Sequence, residues 1–335
     1  WIQEICGVMP IPPTSSSAVG TQASVVVLSN QLDHLTARVI SDVERDLERM
    51  HVAWREGRDS DVADWLKYTK NDNVLWQSMP SQVKARILRF EALLTLELKG
   101  NVELAKQLAV DAQTLVPSDN QTRLQALIVY KEKGPEDAVQ LLAGQKDIDS
   151  INLRASLFLE MGSIDKCREE LSKIKNSDIK PNAETFRIHA LLYRVTKDIS
   201  KAQLEIQKAQ ELEPRWKSIR FTAAVIDYFS ALSPIAIPDR LISWPEPVDW
   251  ALVKNDDISL KHFRRASEIF QELPTRWEEQ QRYKVWRLAC LANDPEPLIA
   301  LKSTLSVFCF ARYLAMSTNW FFKLQRMSLS RRLII

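Results

Sequence analysis

The sequence predicts an all-α protein, built as a right-handed solenoid of antiparallel helix pairs. Only seven of the 335 residues are glycine, whereas turn-dense β-sandwiches and Gly-rich nucleotide loops need many residues that tolerate positive φ. Apolar residues recur at steps of three and four over most of the chain, which is the period of a helix with one buried face. Two helix-pair segments carry the same small residues and prolines at a constant separation of 97 residues. This internal repetition favours a repeat architecture over a closed bundle.

The composition indicates which broad class of protein this is. Hydrophobic residues make up 45% and charged residues 26% of the chain, which is typical of a folded globular protein. The net charge of +2 gives no overall attraction to nucleic acid or anionic membranes. The four cysteines are far apart and have no metal-ligand spacing, so we expect buried free thiols in a reduced, cytoplasmic protein. They are Cys6, Cys167, Cys290 and Cys309.

Composition also suggests the domain boundaries. Residues 1–24 are rich in Pro, Ser and Thr and are predicted to be a disordered linker. They lack the features of a signal peptide, and because the chain starts at Trp1 we interpret it as a fragment of a longer protein or as a gene prediction with an inaccurate start. Residues 25–296 form the predicted helical repeat domain, with a Pro-rich insertion at 233–252. Residues 297–335 form an atypical basic and apolar tail, which fits a final packed helix or out-of-frame sequence better than a membrane anchor.

The helices are expected in the following order. A first apolar stripe runs from Leu28 to Trp54 and ends at Gly57, and a weaker first pair covers residues 38–85. The best helix pairs are Arg86–Asp119 and Ala183–Arg215, with two degenerate copies between them that turn at Gly134 and Gly162. A helix follows Pro214, another runs from about Asp256 to Pro274, and a last one ends near Asp294.

Small residues mark the second helix of each pair. Ala105, Ala138, Cys167 and Ala202 follow one another at steps of 33, 29 and 35 residues. The corresponding first-helix position is occupied by Ala92 or Leu93, and then by Ala126, Ala155 and Ala190. A helix–turn–helix repeat of about 34 residues with small residues at the helix contact resembles the tetratricopeptide repeat (TPR) family. The resemblance covers residues 86–215 well and residues 38–85 more weakly, and it implies close helix packing at these positions.

Two weaker resemblances point elsewhere. Residues 215–296 resemble the TPR segment of large bacterial proteins that also carry Gre-factor-like and PIN-nuclease-like modules. Pro181–Tyr193 resembles a pentatricopeptide repeat, which implies an RNA-binding helical-repeat protein as the alternative function. A third possibility is an interaction segment of a larger multidomain nuclease or regulatory protein.

The sequence contains none of the common catalytic motifs. The sequence has no phosphate-binding loop, zinc-protease helix, nucleophile elbow or EF-hand loop. The four histidines (His34, His51, His189 and His262) lie on separate predicted helices. Asp256, Asp257 and His262 could form an acid–base site, but an acidic helix start explains the two aspartates more simply. We therefore predict a protein that is not an enzyme, with no catalytic residues, no cofactor and no metal.

The TPR resemblance implies a partner segment bound in the concave groove lined by the first helices. The predicted groove residues are Phe90, Leu94, Glu97, Asn152, Ser156, Arg187, Leu191 and Arg194. Phe90 would supply an apolar anchor, while Arg187 and Arg194 would supply two cations. Phe90 and Leu94 occupy positions where carboxylate-clamp members of the family carry Lys and Asn, which argues against binding of chaperone tails. We expect a protein or peptide partner, and the sequence argues against nucleic acid or a membrane in that role.

Two groups of tryptophans differ in their place in the sequence. Trp54, Trp65, Trp216, Trp277 and Trp286 fall on helical stripes and are predicted to pack between repeats. Trp244 and Trp250 lie in the Pro-rich insertion, where we expect them to pin the loop onto the repeat domain, with an aromatic partner site as the alternative.

Overall fold

The structure is a computed structural model that describes residues 38, 40–98, 100–117, 121–242, 245, 257–273 and 277–292. This part of the chain is all-helical and contains no β-strand, so the predicted all-α class is confirmed. The helices are α1 (40–56), α2 (Asp59–Asn71), α3 (Asn73–Ser78), α4 (Ser81–Leu98), α5 (Val102–Leu115), α6 (Thr122–Lys133), α7 (Pro135–Leu141), α8 (Ile148–Glu160), α9 (Ile164–Lys175), α10 (Ala183–Val195), α11 (Ile199–Leu212), α12 (Lys217–Ser230), α13 (Asp257–Glu272) and α14 (Trp277–Ala292). The predicted linker at 1–24 and the tail at 297–335 lie outside the described residues.

Helices that follow one another in the chain pack as pairs. Extensive contacts join α4 to α5, α6 to α7, α8 to α9, α10 to α11 and α12 to α13, and α13 contacts α14 as extensively as it contacts α12. Successive pairs are also in contact, because the second helix of each pair packs on the first helix of the next. First helices touch as well, since α4 contacts α6, α8 contacts α10, and α10 contacts α12.

The 97-residue periodicity reappears in the geometry. Helix α11 has the same 14-residue length as α5 and begins 97 residues later. Their first turns are capped alike: the Asn101 side chain accepts from the Leu104 amide at 3.0 Å, and Asp198 accepts from the Lys201 amide at 3.2 Å. The preceding turn adopts the left-handed conformation at Gly100 (φ +58°) and at its counterpart Lys197 (φ +66°). The two pairs therefore share their caps and turns as well as their sequence spacing.

Small side chains lie where the helices of a pair meet. Ala105, Ala138, Cys167 and Ala202 in the second helices are all fully buried. Their first-helix counterparts are equally buried: Ala92, Ala126, Ala155 and Ala190. Close approach of two helices requires small residues at the contact, so the predicted burial of these positions is confirmed.

The last described helices form an aromatic core. Trp286 of α14 is fully buried and packs edge-to-face against Tyr228 and Phe229 of α12, with ring centroids 5.3 and 6.1 Å apart. The first part of the Pro-rich insertion contains a short 3-10 helix, Pro234–Ala236, and Ile237 is buried in the same core. Trp244 and Trp250, the predicted anchors, lie outside the described residues.

Two elements differ from the sequence prediction. Helix α3 is an additional six-residue helix between the first and second pairs, capped by Asp72, which accepts from the Leu75 amide at 3.0 Å. Helix α7 has only seven residues, whereas α5, α9 and α11 have 12 to 14.

Candidate functional site

The predicted groove residues on α4 are mostly in the core. Phe90 is 2% exposed and packs on α1, where its ring centroid lies 4.0 Å from that of His51 and 6.1 Å from that of Trp54. Leu94 is buried in the same cluster, while Glu97 is exposed. The apolar anchor predicted at Phe90 is therefore a contact between two helices and not an exposed groove residue. Sequence spacing placed the residue on the correct helix but did not show that α1 covers it.

On α8, Asn152 belongs to a polar network that ties this helix to α10. Its side-chain amide donates to the Asn182 side-chain oxygen at 3.0 Å, and its own oxygen accepts from the Thr185 hydroxyl at 3.1 Å. Asn182 also accepts from the Thr185 amide and so caps α10. Asn152 is 2% exposed, so it joins two repeats instead of facing a groove, whereas Ser156 is half-buried.

On α10, the two predicted cations have different environments. Arg187 is half-buried and pairs with Glu184, its Nε donating at 2.7 Å and its Nη2 at 2.6 Å. Burial alone would lower the pKa of Arg187, but the charge and hydrogen bonds of Glu184 raise it. Arg194, by contrast, is 1% exposed, and its guanidinium lies 5.2 Å from the Phe229 ring centroid.

Burial lowers the pKa of Arg194 to about 10. Its Nη2 donates to the Arg240 carbonyl at 2.7 Å, but Nε and Nη1 have no hydrogen-bond partner among the residues that the structure describes. The sequence predicted Arg194 as a second cation in the groove. The structure instead buries it, and its hydrogen bond attaches the Pro-rich insertion to α10. The predicted positions that retain some exposure are Glu97, Ser156, Arg187 and Leu191.

A cavity of about 600 Å³ lies on the opposite side of α8, and the sequence analysis did not identify it. Ile151, Arg154 and Phe158 line it from α8, on the face roughly opposite Asn152 and Ser156. We call it the outer cavity, because its other walls come from the second helices α7 and α9 and the segments that follow them. The only sequence signal was the shortened step from Ala138 to Cys167, 29 residues where the neighbouring steps are 33 and 35.

A second cluster that sequence reasoning missed joins α12 to α13. The buried Asp227 carboxylate lies 3.1 Å from His262 Nδ1 through Oδ1 and 3.2 Å from Arg265 Nε through Oδ2. His262 thus has Asp227, 35 residues upstream, as its partner. Burial raises the pKa of Asp227, although Arg265 and the hydrogen bond with His262 act to lower it. The cluster links two helices of the aromatic core.

Other ionisable groups show no arrangement of metal ligands in the described part of the chain. No group of three His, Cys, Asp or Glu side chains there could hold a metal ion. Cys167 and Cys290 are free and buried, and burial raises the pKa of the Cys167 thiol to about 12. Among the same residues, no helix is both long and apolar enough to cross a bilayer.

Comparison with known proteins identifies no relative of this chain. No protein-family model matches the chain, and no curated protein and no solved structure is significantly similar to it.

Proposed function

We propose that this chain is a non-catalytic scaffold of TPR-like helix pairs, stacked as a solenoid, that binds a segment of a partner protein in its concave groove. The observation that carries the proposal is the repetition itself: consecutive pairs contact each other and share buried small residues at equivalent positions. Repeats that pack only on their neighbours form extended curved surfaces suited to binding protein segments. Buried free thiols at Cys167 and Cys290 support a reduced, cytoplasmic setting.

A contact between distant helices supports the curvature. The Arg55 guanidinium at the end of α1 lies 5.2 Å from the ring centroid of Trp216, which precedes α12. These residues are 161 positions apart, with four first helices between α1 and α12. A stack that brings them together must bend, and the inner side of the bend is the proposed groove.

The groove surface proposed here is smaller and more polar than the set of eight groove residues predicted from the sequence. Its members are Glu97, Ser156, Arg187 and Leu191, because Phe90, Leu94, Asn152 and Arg194 are buried. Arg187 is held by Glu184, so its guanidinium is preorganised and loses little conformational freedom when it binds a partner. Arginine side chains are also frequent carriers of interface energy.

A capture experiment tests the proposal. The purified chain and a Ser156→Arg, Arg187→Glu variant would be compared for proteins retained from lysate, with and without nuclease. The matched control is Ser200→Arg, Lys201→Glu on exposed positions of α11, where Lys201 pairs with Asp198 as Arg187 pairs with Glu184. We expect the groove variant to lose specific partners, identified by mass spectrometry, that the control retains. Material that disappears on ribonuclease treatment would favour the RNA-binding alternative, and equal capture by both variants would contradict the proposal.

A further inference from the structure

The outer cavity exists because the second layer of helices is interrupted. Helix α7 stops at Leu141, and the chain then turns through Gly144, whose φ of +84° is the left-handed conformation. The neighbouring second helices α5 and α9 have 14 and 12 residues, against seven in α7. Between them the layer therefore lacks about one and a half helical turns.

Apolar side chains line most of the resulting space. They are Val139, Ala143, Ile151, Phe158 and Ile179. The volume of about 600 Å³ lies within the range of pockets that bind small molecules or short peptide segments, roughly 300–1,000 Å³. The cavity can accept one large apolar side chain together with its flanking backbone.

A buried ion pair makes the floor of the cavity rigid. Arg154 Nε donates to Glu170 Oε2 at 3.0 Å, and Arg154 Nη1 donates to the carbonyls of Leu142 and Gln145 at 2.7 and 2.9 Å. One side chain thereby ties α8 to α9 and to the turn that ends α7. A floor held in this way is preorganised, so little ordering is needed when a ligand enters.

The charges around the cavity favour an anion. Three cations line it (Lys146, Arg154 and Lys173) against one carboxylate, Glu170. Both oxygens of Glu170 are already engaged, one by Arg154 and the other by Lys173 at 2.6 Å. Lys146 is exposed and makes no ion pair with any residue that the structure describes. The lining therefore carries two positive charges more than negative ones.

We propose that the outer cavity is a second binding site of the scaffold, for a short acidic peptide segment in which a large apolar residue is flanked by Asp or Glu. The apolar side chain enters between Ile151 and Phe158, and the flanking carboxylates pair with Lys146 and Lys173 at the rim. The inference rests on the proposed scaffold function but uses the face opposite the groove. A partner could then contact both sides of the same repeats.

The test measures binding of a defined probe to the full chain. Fluorescence polarisation would be recorded with a fluorescein-labelled Glu-Phe-Glu-Leu-Glu peptide, and with Lys-Phe-Lys-Leu-Lys as its charge-reversed counterpart. We expect binding of the acidic peptide only. Lys146→Glu should weaken it about tenfold, since a charge reversal replaces an attraction by a repulsion.

Two further variants complete the design. Ala143→Trp, at an exposed lining position, fills the cavity and should abolish binding while leaving the circular dichroism spectrum unchanged. Lys133→Glu reverses an exposed cation outside the cavity lining and should bind the probe as the parent chain does.

No binding of the acidic peptide at about 1 mM, or equal binding by the Ala143→Trp variant, would overturn the proposal. The groove variant Ser156→Arg, Arg187→Glu should still bind the probe. Failure of this site with partner capture intact would therefore leave the scaffold function standing.

Discussion

At the scale of single residues, the buried arginines Arg154 and Arg194 differ in the groups that compensate their charge. Arg154 and Arg194 are 5% and 1% exposed. Arg154 faces a carboxylate and two carbonyls, whereas the partners of Arg194 in the described part of the chain are one carbonyl and an aromatic ring. Removing one member of a buried ion pair leaves its partner's charge less well compensated, while removing a buried charge that has no counter-ion also removes its desolvation penalty.

We therefore predict unequal outcomes for the same substitution at these two positions. Arg154→Met should lower the free energy of unfolding by about 3 kcal/mol, because the buried Glu170 is left with the more exposed Lys173 as its cation and two carbonyls each lose a donor. Arg194→Met should change it by less than about 1 kcal/mol, since relief of desolvation offsets the lost hydrogen bond. Urea denaturation of both variants measures the difference. Equal losses would show that Arg194 is compensated as fully as Arg154.

The left-handed turn residue Lys197 supplies a second prediction. At the equivalent position of the other well-matched pair the residue is Gly100, and a side chain in this conformation costs about 1–2 kcal/mol. Lys197→Gly should raise the free energy of unfolding by about 0.5–1 kcal/mol after the greater entropy of glycine in the unfolded chain is counted. Lys175→Gly, at a helical position, is the control and should be destabilising. A destabilised Lys197→Gly variant would contradict the assigned backbone conformation.

Two histidines make stability depend on pH. Burial lowers the pKa of His51, which lies against Phe90, and of His189, although nearby Glu48 and Glu205 oppose the shift. As the pH falls below about 6.5, these histidines bind protons in the unfolded chain before they do so in the folded chain. The free energy of unfolding therefore decreases from its value at neutral pH until the pH reaches the folded-state pKa. The buried Asp227 acts in the opposite direction, because its pKa is raised.

We expect a His51→Gln, His189→Gln variant to lose less stability between pH 7.5 and 5.5 than the parent chain does. Chemical denaturation at the two pH values gives the comparison. An unchanged difference in unfolding free energy would show that these imidazoles titrate as they do in the unfolded chain.

At the scale of helices, residue spacing predicted which positions pack between helices. It did not predict which side chains are exposed to solvent. The small-residue positions were predictable because tight helix contacts leave few residue types to choose from. The groove residues were not, since the burial of Phe90 depends on how α1 packs across α4, and that of Arg194 on where the Pro-rich insertion returns. The short α7 was visible only as a shortened repeat, and the cavity beside it depends on side chains from three elements.

Overpacking tests the helix contacts directly. Ala202 is fully buried between α10 and α11, so Ala202→Leu should lower the free energy of unfolding by about 1–3 kcal/mol. Ser200→Leu, at an exposed position of α11, is the control and should have an effect within about 0.5 kcal/mol. Thermal or urea unfolding reports both. A neutral Ala202→Leu substitution would mean that the helices of this pair do not meet at Ala202.

At the scale of the whole molecule, neighbour contacts and one distant contact define the proposed architecture. In this proposal, the packing of each pair on the next forms the stack, and the approach of Arg55 to Trp216 reports its curvature. A cation–π contact at a solvent-accessible site stabilises by only about 0.5–1 kcal/mol, so the curvature must come mainly from the packed interfaces. The contact serves as a reporter of the curvature.

The central claim, a curved stack of helix pairs around a groove, is tested most directly by the distance between its ends. Spin labels would be placed at exposed Val52 in α1 and exposed Glu213 before α12, with the four native cysteines replaced, and the distance measured by double electron–electron resonance. The curved stack predicts a single narrow distribution at about 20–30 Å, as the side-chain contact requires, whereas five uncurved steps of 8–10 Å each would separate the labels by about 40–50 Å. A distribution centred at the longer distance, or one spread over the whole range, would contradict the account.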